Sequence, residues 1–378
     1  MRWFWAVLAA ALMVGCAGPD AFERSEAPAV EVVGDLAPQR VWERSVGAAA
    51  GLQDRLTPAY DEGRVFAASA DGRLVALDAQ SGETLWQREL EGRLSGGPAA
   101  ADGLIVIGTR EGEVIALSAQ TGETRWISGV TSEVLAPAAI GQGVVAVRTN
   151  DGRVFALQRD SGERLWLYDR NVPTLSVRGH SAPVLVDGGV VVGFDNGRLA
   201  ALSLGDGSPI WEASVAVPRG QTDLDRMVDI DADPLVRSGA VFAVAYQGRV
   251  AGVSLGEGRV AWARELSGYA GLTLVGRRLV VPDADGHVWA LDASNGASVW
   301  RQDVLEGLVL TAPAVHDGYP VVAGSDGFLN WLAADDGRVL ARRQVAGTRI
   351  ASAPLAANGM LYVLSTGGEL QAWRLADR

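Results

Sequence analysis

Short apolar runs separated by glycine-containing turns make up most of the chain. In one unit, Leu104-Ile105-Val106-Ile107 is a continuous apolar run, Glu111-Gly112 follows as a turn, and Val114 to Leu117 runs back. Tight hairpin turns need a positive backbone φ, which glycine adopts without steric cost. A continuous apolar run is typical of a strand that is covered on both faces. The pattern therefore predicts short antiparallel strands joined by hairpins.

This pattern occurs eight times. The turn glycines lie 40, 40, 45, 51, 38, 41 and 41 residues apart. Four strands in a period of about 40 residues are typical of one blade of a β-propeller. The eight turn dipeptides are Asp71-Gly72, Glu111-Gly112, Asp151-Gly152, Asn196-Gly197, Gln247-Gly248, Asp285-Gly286, Asp326-Gly327 and Gly367-Gly368.

A second glycine and a tryptophan follow these turns at constant spacing. Ten residues after each of the first seven turn glycines stands another glycine, and four residues later stands a tryptophan in the first six units and Ala341 in the seventh. Such tryptophans could form a set that stacks on a ligand. One per unit at the same position instead predicts that each packs its blade on the neighbouring blade. The predicted docking residues are Trp42, Trp86, Trp126, Trp166, Trp211, Trp262 and Trp300.

The two ends of the repeat predict how the ring closes. The eighth unit begins at Gly367-Gly368 and has no tryptophan strand of its own, whereas Arg40-Val41-Trp42-Glu43 has the outer-strand pattern but no unit before it. Pairing this N-terminal strand into the last unit completes eight blades and removes an unpaired sheet edge. The sequence thus predicts an all-β fold, an eight-bladed β-propeller over residues 39–378 with four antiparallel strands per blade.

The N-terminal residues predict export and a lipid anchor. The apolar run from Trp3 to Val14 has the length of a signal peptide rather than that of a membrane-spanning helix. Met13-Val14-Gly15-Cys16 resembles a bacterial lipobox, which makes residues 1–15 a lipoprotein signal peptide and Cys16 the lipidated residue. The alternative is an inert, buried cysteine. Ala17, where Asp would retain a lipoprotein in the inner membrane, implies delivery to the outer membrane. Residues 16–38, rich in Ala, Pro and acids, are predicted to form a flexible tether.

Composition narrows the chemistry. The 33 basic and 45 acidic residues among 378 give a net charge of −12, which argues against a nucleic-acid partner because phosphates reward clustered positive charge. All basic residues are Arg, which excludes a lysine Schiff base, and one Cys excludes an intrachain disulfide and a cysteine zinc cluster. His180, His287 and His316 lie far apart, and His287 takes an exposed hairpin slot that holds Arg in other units. No catalytic residue, cofactor or metal site is predicted.

Two consecutive connections between units are longer than the earlier ones. From the tryptophan to the proline that opens the next unit, the count is 17 for Trp166 to Pro183 and 23 for Trp211 to Pro234, against 12 and 11 in the two units before them. These connections leave the same face of a propeller, so their extra length builds one surface, which in repeat proteins is usually the binding surface. The alternative is two solvated loops whose Arg and Asp side chains pair with each other.

The chain resembles a known family in its repeats. The segments Ala76 to Trp86 and Ala116 to Trp126 resemble the tryptophan-docking repeat of quinoprotein propellers. Among lipoproteins with that repeat, residues 40–378 and the lipobox resemble the BamB family. This resemblance implies a noncatalytic scaffold of the BAM complex, which folds β-barrel proteins into the outer membrane, on the periplasmic face of that membrane in a Gram-negative bacterium. It also implies binding to the periplasmic domains of BamA and to other BAM components. Whether the blade edges also bind unfolded β-barrel proteins stays open.

Five residues in the two long connections are candidates for partner binding. The first connection offers Leu175 and Val177 in alternation before Arg178, and the second offers Asp229 and Asp231 in an acidic run. Apolar anchors beside an Arg, with acids nearby, are typical of a protein-binding patch. The resemblance implies that Leu175, Val177 and Arg178 contact BamA, and that Asp229 and Asp231 either contact it or support the loop.

A rival function belongs to a different class of protein. A periplasmic propeller could bind a cofactor or a small ligand in its central channel, as the quinoprotein resemblance suggests. Quinoprotein dehydrogenases often carry an adjacent cysteine pair, however, and this chain has a single Cys. The acidic run at Asp229 mimics the start of a calcium-binding loop, but Pro234 stands where such a loop needs Gly.

Overall fold

The computed structural model describes residues 30–47, 54–169, 181–217, 228–345, 349–350 and 352–376. Within these ranges every regular element is a β-strand, and the strands form eight small sheets. Each sheet pairs its strands in chain order from the inner to the outer edge, so each one is a blade. The predicted eight-bladed, all-β propeller is confirmed.

The strands of the first half include two that lie outside the regular order of the blades. Strand β1 spans Pro38–Ser45 and β2 spans Arg55–Leu56. Blade 1 consists of β3 Ala59–Asp61, β4 Arg64–Ala68, β5 Arg73–Asp78 and β6 Thr84–Glu89, and blade 2 of β7 Leu94–Ala101, β8 Leu104–Thr109, β9 Glu113–Ser118 and β10 Thr124–Gly129. Blade 3 consists of β11 Ala139–Gly141, β12 Val144–Arg148, β13 Val154–Gln158 and β14 Arg164–Tyr168, and blade 4 of β15 Val184–Val186, β16 Gly189–Gly193, β17 Arg198–Ser203 and β18 Pro209–Ser214.

The second half follows the same order of four strands until the last blade. Blade 5 consists of β19 Leu235–Arg237, β20 Ala240–Val244, β21 Arg249–Ser254 and β22 Val260–Glu265, and blade 6 of β23 Thr273–Val275, β24 Arg278–Pro282, β25 Val288–Asp292 and β26 Ser298–Gln302. Blade 7 consists of β27 Ala314–His316, β28 Tyr319–Ala323, β29 Phe328–Leu332 and β30 Val339–Gln344, and blade 8 begins with β31 Leu355–Ala357, β32 Met360–Leu364 and β33 Glu369–Leu375.

The N-terminal strand supplies the missing outer strand of blade 8. β1 pairs antiparallel with β33 over its whole length, from Pro38 opposite Leu375 to Ser45 opposite Glu369. The register shifts by one residue between Arg40 and Trp42, and the outer strands of the other blades carry the same irregularity at the equivalent place. The ring therefore closes by pairing the first described strand with the last, as predicted.

A tryptophan on the outer strand joins each of seven blades to the next. Its indole N–H donates to a backbone carbonyl of the following blade at 2.6–3.1 Å. A bond to a carbonyl satisfies the polar end of the ring while its apolar body is buried. The donor and acceptor pairs are Trp42 with Ala79, Trp86 with Ala119, Trp126 with Arg159, Trp166 with Leu204, Trp211 with Leu255, Trp262 with Ala293 and Trp300 with Ala334.

The glycine that follows each of the first seven turn glycines by ten residues forms the other side of this junction. Gly122 has φ +69°, and a Cβ built on it would lie 2.7 Å from the ring of Trp86. Gly162 bears the same relation to Trp126, with φ +72° and 2.5 Å. The constant spacing in the sequence thus has a steric cause, because any side chain at the glycine would overlap the indole of the preceding blade.

The junction between blades 7 and 8 uses a different pair of residues. Trp331, on the third strand of blade 7, is fully buried, and its indole N–H donates to Nδ1 of His316 at 3.1 Å. Nε2 of His316 faces the carbonyl of Gly359 in blade 8 at 3.2 Å. His316, at the end of β27, is therefore a buried residue that links Trp331 of blade 7 to the backbone of blade 8. Burial lowers its pKa. These two residues occupy the junction where Ala341 replaces the docking tryptophan.

The residues just before β1 also lie on the propeller. The N–H of Val33 donates to the carbonyl of Val339 in the outer strand of blade 7 at 2.9 Å. Val30 packs against the core between blades 6 and 7, and Leu36 against the core between blades 7 and 8. The described end of the predicted tether is thus in contact with the ring. No helix among the described residues has the length and apolarity to span a membrane.

Replacing Trp126 with Ala should destabilise the propeller strongly. Trp126 is 8% exposed, and truncating a buried Trp to Ala typically costs about 3–5 kcal/mol through lost burial and the cavity left behind. Its neighbour Ile127 is 57% exposed, so Ile127→Ala should change stability by only about 0.5 kcal/mol. Thermal and denaturant unfolding of both variants measure the difference. Equal stability of the two variants would contradict the docking role.

Candidate functional site

The two long connections flank blade 4 on one face of the ring. The first runs from the end of β14 to β15, and the second from the end of β18 to β19. Three predicted contact residues, Leu175, Val177 and Arg178, lie outside the described residues, as does Cys16. The structure describes the other two candidates, Asp229 and Asp231, together with the surroundings on which the second connection rests.

Residues 228–233 form an extended segment laid between blades 4 and 5. Val228, Ile230 and Ala232 alternate along it and are at most 2% exposed, packed into the cores on either side. The N–H of Ile230 donates to the carbonyl of Phe194 at 3.3 Å, and the carbonyl of Asp229 accepts from the N–H of Tyr246 at 2.9 Å. Apolar side chains and main-chain bonds to both blades therefore hold this acidic run in place.

Of the two candidate aspartates, Asp229 is buried and Asp231 is half-buried. Asp229 is 1% exposed, and an Oδ1 atom of each of Asp229 and Asp231 has no solvent contact and no hydrogen bond. Burial raises the pKa of Asp231 to about 8, and the carboxylates of Asp229 and Asp195 add to this shift. Ionising Asp231 is costly because a charge is poorly solvated here and has like charges nearby.

Two arginines from other blades face these acids. Arg148, at the end of β12, forms a buried ion pair with Asp195 in the hairpin of blade 4. Arg55, in β2, forms an ion pair with Asp233, whose Oδ1 also accepts the N–H of Ala182 at 2.7 Å. Two guanidinium groups thus face four carboxyl groups at Asp195, Asp229, Asp231 and Asp233. We call these six residues the acidic cluster.

The pair between Arg55 and Asp233 crosses the axis of the ring. β2 is hydrogen-bonded to the inner strand of blade 2, with Arg55 opposite Gly96, whereas Asp233 immediately precedes blade 5. Blades 2 and 5 are not neighbours, so this contact can form only across the mouth of the central channel. Asp54, next to Arg55, is held by Arg93 and Arg110 from blade 2. The segment at residues 54–56 therefore lies over the channel on the face that carries the two long connections.

The acidic cluster is suited to holding a surface rather than to catalysis. The carboxyl groups of Asp195 and Asp233 are paired with arginines, and the alternating apolar side chains of residues 228–232 hold the acidic run between the blades. Buried polar groups in such networks fix one conformation of the backbone that carries them. An excess of negative charge under a loop also favours positively charged groups near it. The cluster can therefore position the second connection and attract a cationic side chain.

Sequence reasoning missed most members of the acidic cluster. Arg148 stands four residues before its turn glycine, where the other seven units have only uncharged residues, so an alignment of the eight units could have singled it out. Asp195 and Asp233 carry no such signal. Arg55 lies outside the repeat, and its partner is 178 residues away. Only the closed ring brings these residues together.

Comparisons with known proteins agree on one family. A family model described as outer membrane protein assembly factor BamB matches residues 31–106, 70–302 and 292–377. The chain is 54% identical to BamB of Alkalilimnicola ehrlichii over 98% of this chain and 96% of that protein. It is 44% identical to BamB of Pseudomonas aeruginosa over 98% of both chains.

Solved structures give the same result and separate the family from the general fold. The crystal structure of BamB from Moraxella catarrhalis matches with a TM-score of 0.82 at 31% identity, covering 89% of this chain and all of that chain. A quinohemoprotein alcohol dehydrogenase from Comamonas testosteroni matches with a TM-score of 0.69 at 13% identity, covering 90% of this chain and 77% of that chain. At that identity the second match shows a shared propeller fold alone.

Replacing Asp231 with Asn should make the propeller less sensitive to rising pH. The folded carboxyl keeps its proton up to a pKa of about 8, whereas the ordinary value is 3.8, so the wild-type chain loses stability as pH rises between these values. Asn has no proton to lose, and each unit of pKa difference corresponds to about 1.4 kcal/mol. Urea unfolding should therefore show that the free energy of unfolding of the variant, relative to that of the wild type, is higher at pH 8 than at pH 5.

The control for this substitution is Asp335→Asn, which removes one negative charge from a side chain that is 87% exposed. A stability difference between Asp231→Asn and wild type that stays the same at both pH values would contradict the burial of this carboxyl.

Proposed function

Because the chain belongs to the family of the outer membrane protein assembly factor BamB, we propose that it is a noncatalytic scaffold of the outer-membrane β-barrel assembly machinery. In this role it binds the periplasmic domains of BamA and assists the folding and insertion of β-barrel proteins. The observation that carries the proposal is the acidic run at residues 228–233, which main-chain bonds to blades 4 and 5 and buried apolar side chains hold in place at the end of the second long connection. A scaffold needs a surface of this kind, fixed before its partner arrives.

The burial of the aspartates divides the roles within the proposed surface. Asp229 is buried, and Asp231 is half-buried with an oxygen that has no solvent contact, so we assign both to supporting the connections. Leu175, Val177 and Arg178 are then the contact residues. An arginine beside apolar anchors is a common centre of protein interfaces, and the negative charge of the acidic cluster favours a guanidinium group in its neighbourhood.

The proposed location is the periplasmic face of the outer membrane. The lipobox at residues 13–16 supports lipidation of Cys16, and Ala17 supports sorting to the outer membrane. The names of the relatives, outer membrane protein assembly factors, agree with this location. A lipid anchor at residue 16 and a ring whose first described contact is at Val30 leave 13 intervening residues between them, 17 to 29.

The rival function in the central channel has less support. The Arg55 and Asp233 side chains meet across the mouth of the channel on one face, and this contact would hinder a ligand from entering there. The likeness to a quinohemoprotein dehydrogenase is limited to the fold. Neither observation favours a cofactor in the channel over a protein partner on the loop face.

Arg178→Glu should abolish most co-purification with BamA and leave the fold intact. Reversing the charge removes the guanidinium fork from the proposed interface and puts a carboxylate in its place, a change that typically costs at least 2 kcal/mol, or about thirtyfold in affinity. Untagged BamA captured with the variant from detergent-solubilised outer membranes measures this. Arg277→Glu is the matched control, because that side chain is 83% exposed on the hairpin at the opposite face.

Fractionation before the pull-down tests the location separately. Wild type, Arg178→Glu and Arg277→Glu should all sediment with outer membranes, whereas Cys16→Ser should not. Full retention of BamA by Arg178→Glu would overturn the assigned interface. Sedimentation of Cys16→Ser with outer membranes would overturn the lipid anchor.

A further inference from the structure

The hairpin turns of the eight blades are equivalent, so each serves as a reference for the others. In blade 3, the hydroxyl of Thr149 bonds to the carboxylate of Asp151, and Nη1 of Arg153 donates to the same carboxylate at 2.6 Å. In blade 1, Ser69 and Asp71 make the first of these bonds, and Arg73 follows at the same spacing. In blade 3 the acid at the tip of the turn is thus bound by the hydroxyl two residues before it and by the arginine two residues after it.

Blade 6 keeps this backbone but replaces both partners of the acid. Asp283 stands in place of the hydroxyl, and His287 in place of the arginine, on either side of Asp285. The N–H of residue 283 donates to the carbonyl of residue 287 at 2.9 Å, as Thr149 does to Arg153 at 3.0 Å. Oδ1 of Asp283 accepts the N–H groups of Asp285 and His287 at 3.0 and 2.9 Å. One oxygen of Asp283 therefore suffices to shape the turn.

The second oxygen of Asp283 orients the histidine. Oδ2 accepts from Nδ1 of His287 and from the indole N–H of Trp289, both at 2.8 Å. Because an ionised carboxylate only accepts, Nδ1 carries a proton and Nε2 is the ring nitrogen left to bind an ion. The side chains of His287 and Asp283 are 14% and 11% exposed, so His287 is not the exposed residue that the sequence suggested. A carboxylate that fixes a histidine in this tautomer is the usual support of a metal-binding histidine.

Carboxylates of two different loops face this nitrogen. Potential ligand atoms of Asp283, Asp285 and His287 all lie within 4.8 Å of one another. Glu306, from the connection between β26 and β27, places Oε1 at 3.9 Å from Nε2. That connection is tied to the turn, since the N–H of Gly307 donates to the carbonyl of Asp285 at 2.8 Å and the side chain of Leu305 is fully buried.

The nearest arginines are engaged elsewhere. Arg301 pairs with Asp303 at 2.5 Å, and its guanidinium stacks on one face of the Trp289 ring at 5.2 Å. Arg264 stacks on the same ring at the same distance. Among the described residues, the carboxylates of Asp283, Asp285 and Glu306 therefore surround His287 without the direct arginine contact that blade 3 provides.

We propose that this turn binds a divalent cation of the Zn²⁺ type through Nε2 of His287 and the carboxylates of Asp285 and Glu306, with Asp283 as the positioning residue. Imidazole nitrogen combined with carboxylate oxygen suits Zn²⁺ better than Ca²⁺ or Mg²⁺, which take oxygen ligands. Two atoms each about 2.1 Å from one tetrahedral ion are about 3.4 Å apart, so a small movement of exposed Glu306 brings it into the shell.

The proposed ion adds a side-chain link between two segments that a main-chain hydrogen bond from Gly307 to Asp285 already joins. It holds the connection between β26 and β27 against the hairpin between β24 and β25, on the face of the ring that carries the acidic cluster. The proposed ligands belong to blade 6 and to its connection with blade 7, and none of them is among the residues proposed to contact BamA. The test of this site does not depend on BamA.

The blade 3 turn supplies the matched variant. Asp283→Thr combined with His287→Arg converts the blade 6 turn to the sequence pattern of blade 3, which the fold already accepts. Zn²⁺ binding to tag-free protein, measured by isothermal titration calorimetry, should show one site in the wild type and at least tenfold weaker binding in this double variant. Glu306→Gln should also weaken binding, because it removes one charged ligand while leaving the turn unchanged.

A second measurement identifies the ligand atom. The chain has three histidines, so long-range ¹H–¹⁵N spectra of their side chains can be assigned individually. Zn²⁺ should shift Nε2 of His287 and leave the buried His316 unchanged. Absence of stoichiometric Zn²⁺ binding to the wild type would overturn the proposal, and so would equal binding by the folded double variant.

Discussion

A tryptophan side chain that reaches from one blade to a carbonyl of the next is the interaction on which this molecule depends. Each blade alone is a four-stranded sheet that is too small to bury its own faces, so stability comes from the junctions between blades. Seven junctions repeat one solution, an indole N–H bonded to a carbonyl at 2.6–3.1 Å and a glycine under the ring. The eighth uses Trp331 and His316, and β1 closes the circle.

Repetition of the junction leaves the connections free to vary in length, and the proposed partner surface lies in two of them. Around blade 5, the longer connection inserts Val228 and Ile230 into the core shared with blade 4 and Ala232 into the core shared with blade 6. Its aspartates lie close to Arg148 and Arg55. A buried network of this kind gives an irregular segment the rigidity of the blades around it. Variation within one turn has a similar effect at blade 6. There Asp283 and His287 replace the hydroxyl and the arginine found in blade 3, and with Asp285 they form a group of potential metal ligands.

The sequence predicted those features that depend on residues close together in the chain. Turn glycines, the glycine ten residues on and the tryptophan four residues later specify blades, junctions and closure, because each one is a local steric or packing requirement. Within the acidic cluster, the sequence predicted only the run at Asp229 and Asp231, although an alignment of the eight units would also have singled out Arg148. Arg55 and Arg148 join it across the ring, and the link through His316 replaces a missing tryptophan. None of these contacts leaves a pattern in neighbouring residues.

Hydrogen exchange of the full chain, with and without the periplasmic domains of BamA, tests the central claim most directly. If the two long connections form the partner surface on a preformed ring, slowed exchange should be confined to peptides covering residues 170–180 and 218–233. Exchange in blades 1, 6, 7 and 8 should stay unchanged. Protection at the outer edges of the blades or along the inner strands of the channel, with the two connections unaffected, would contradict the account.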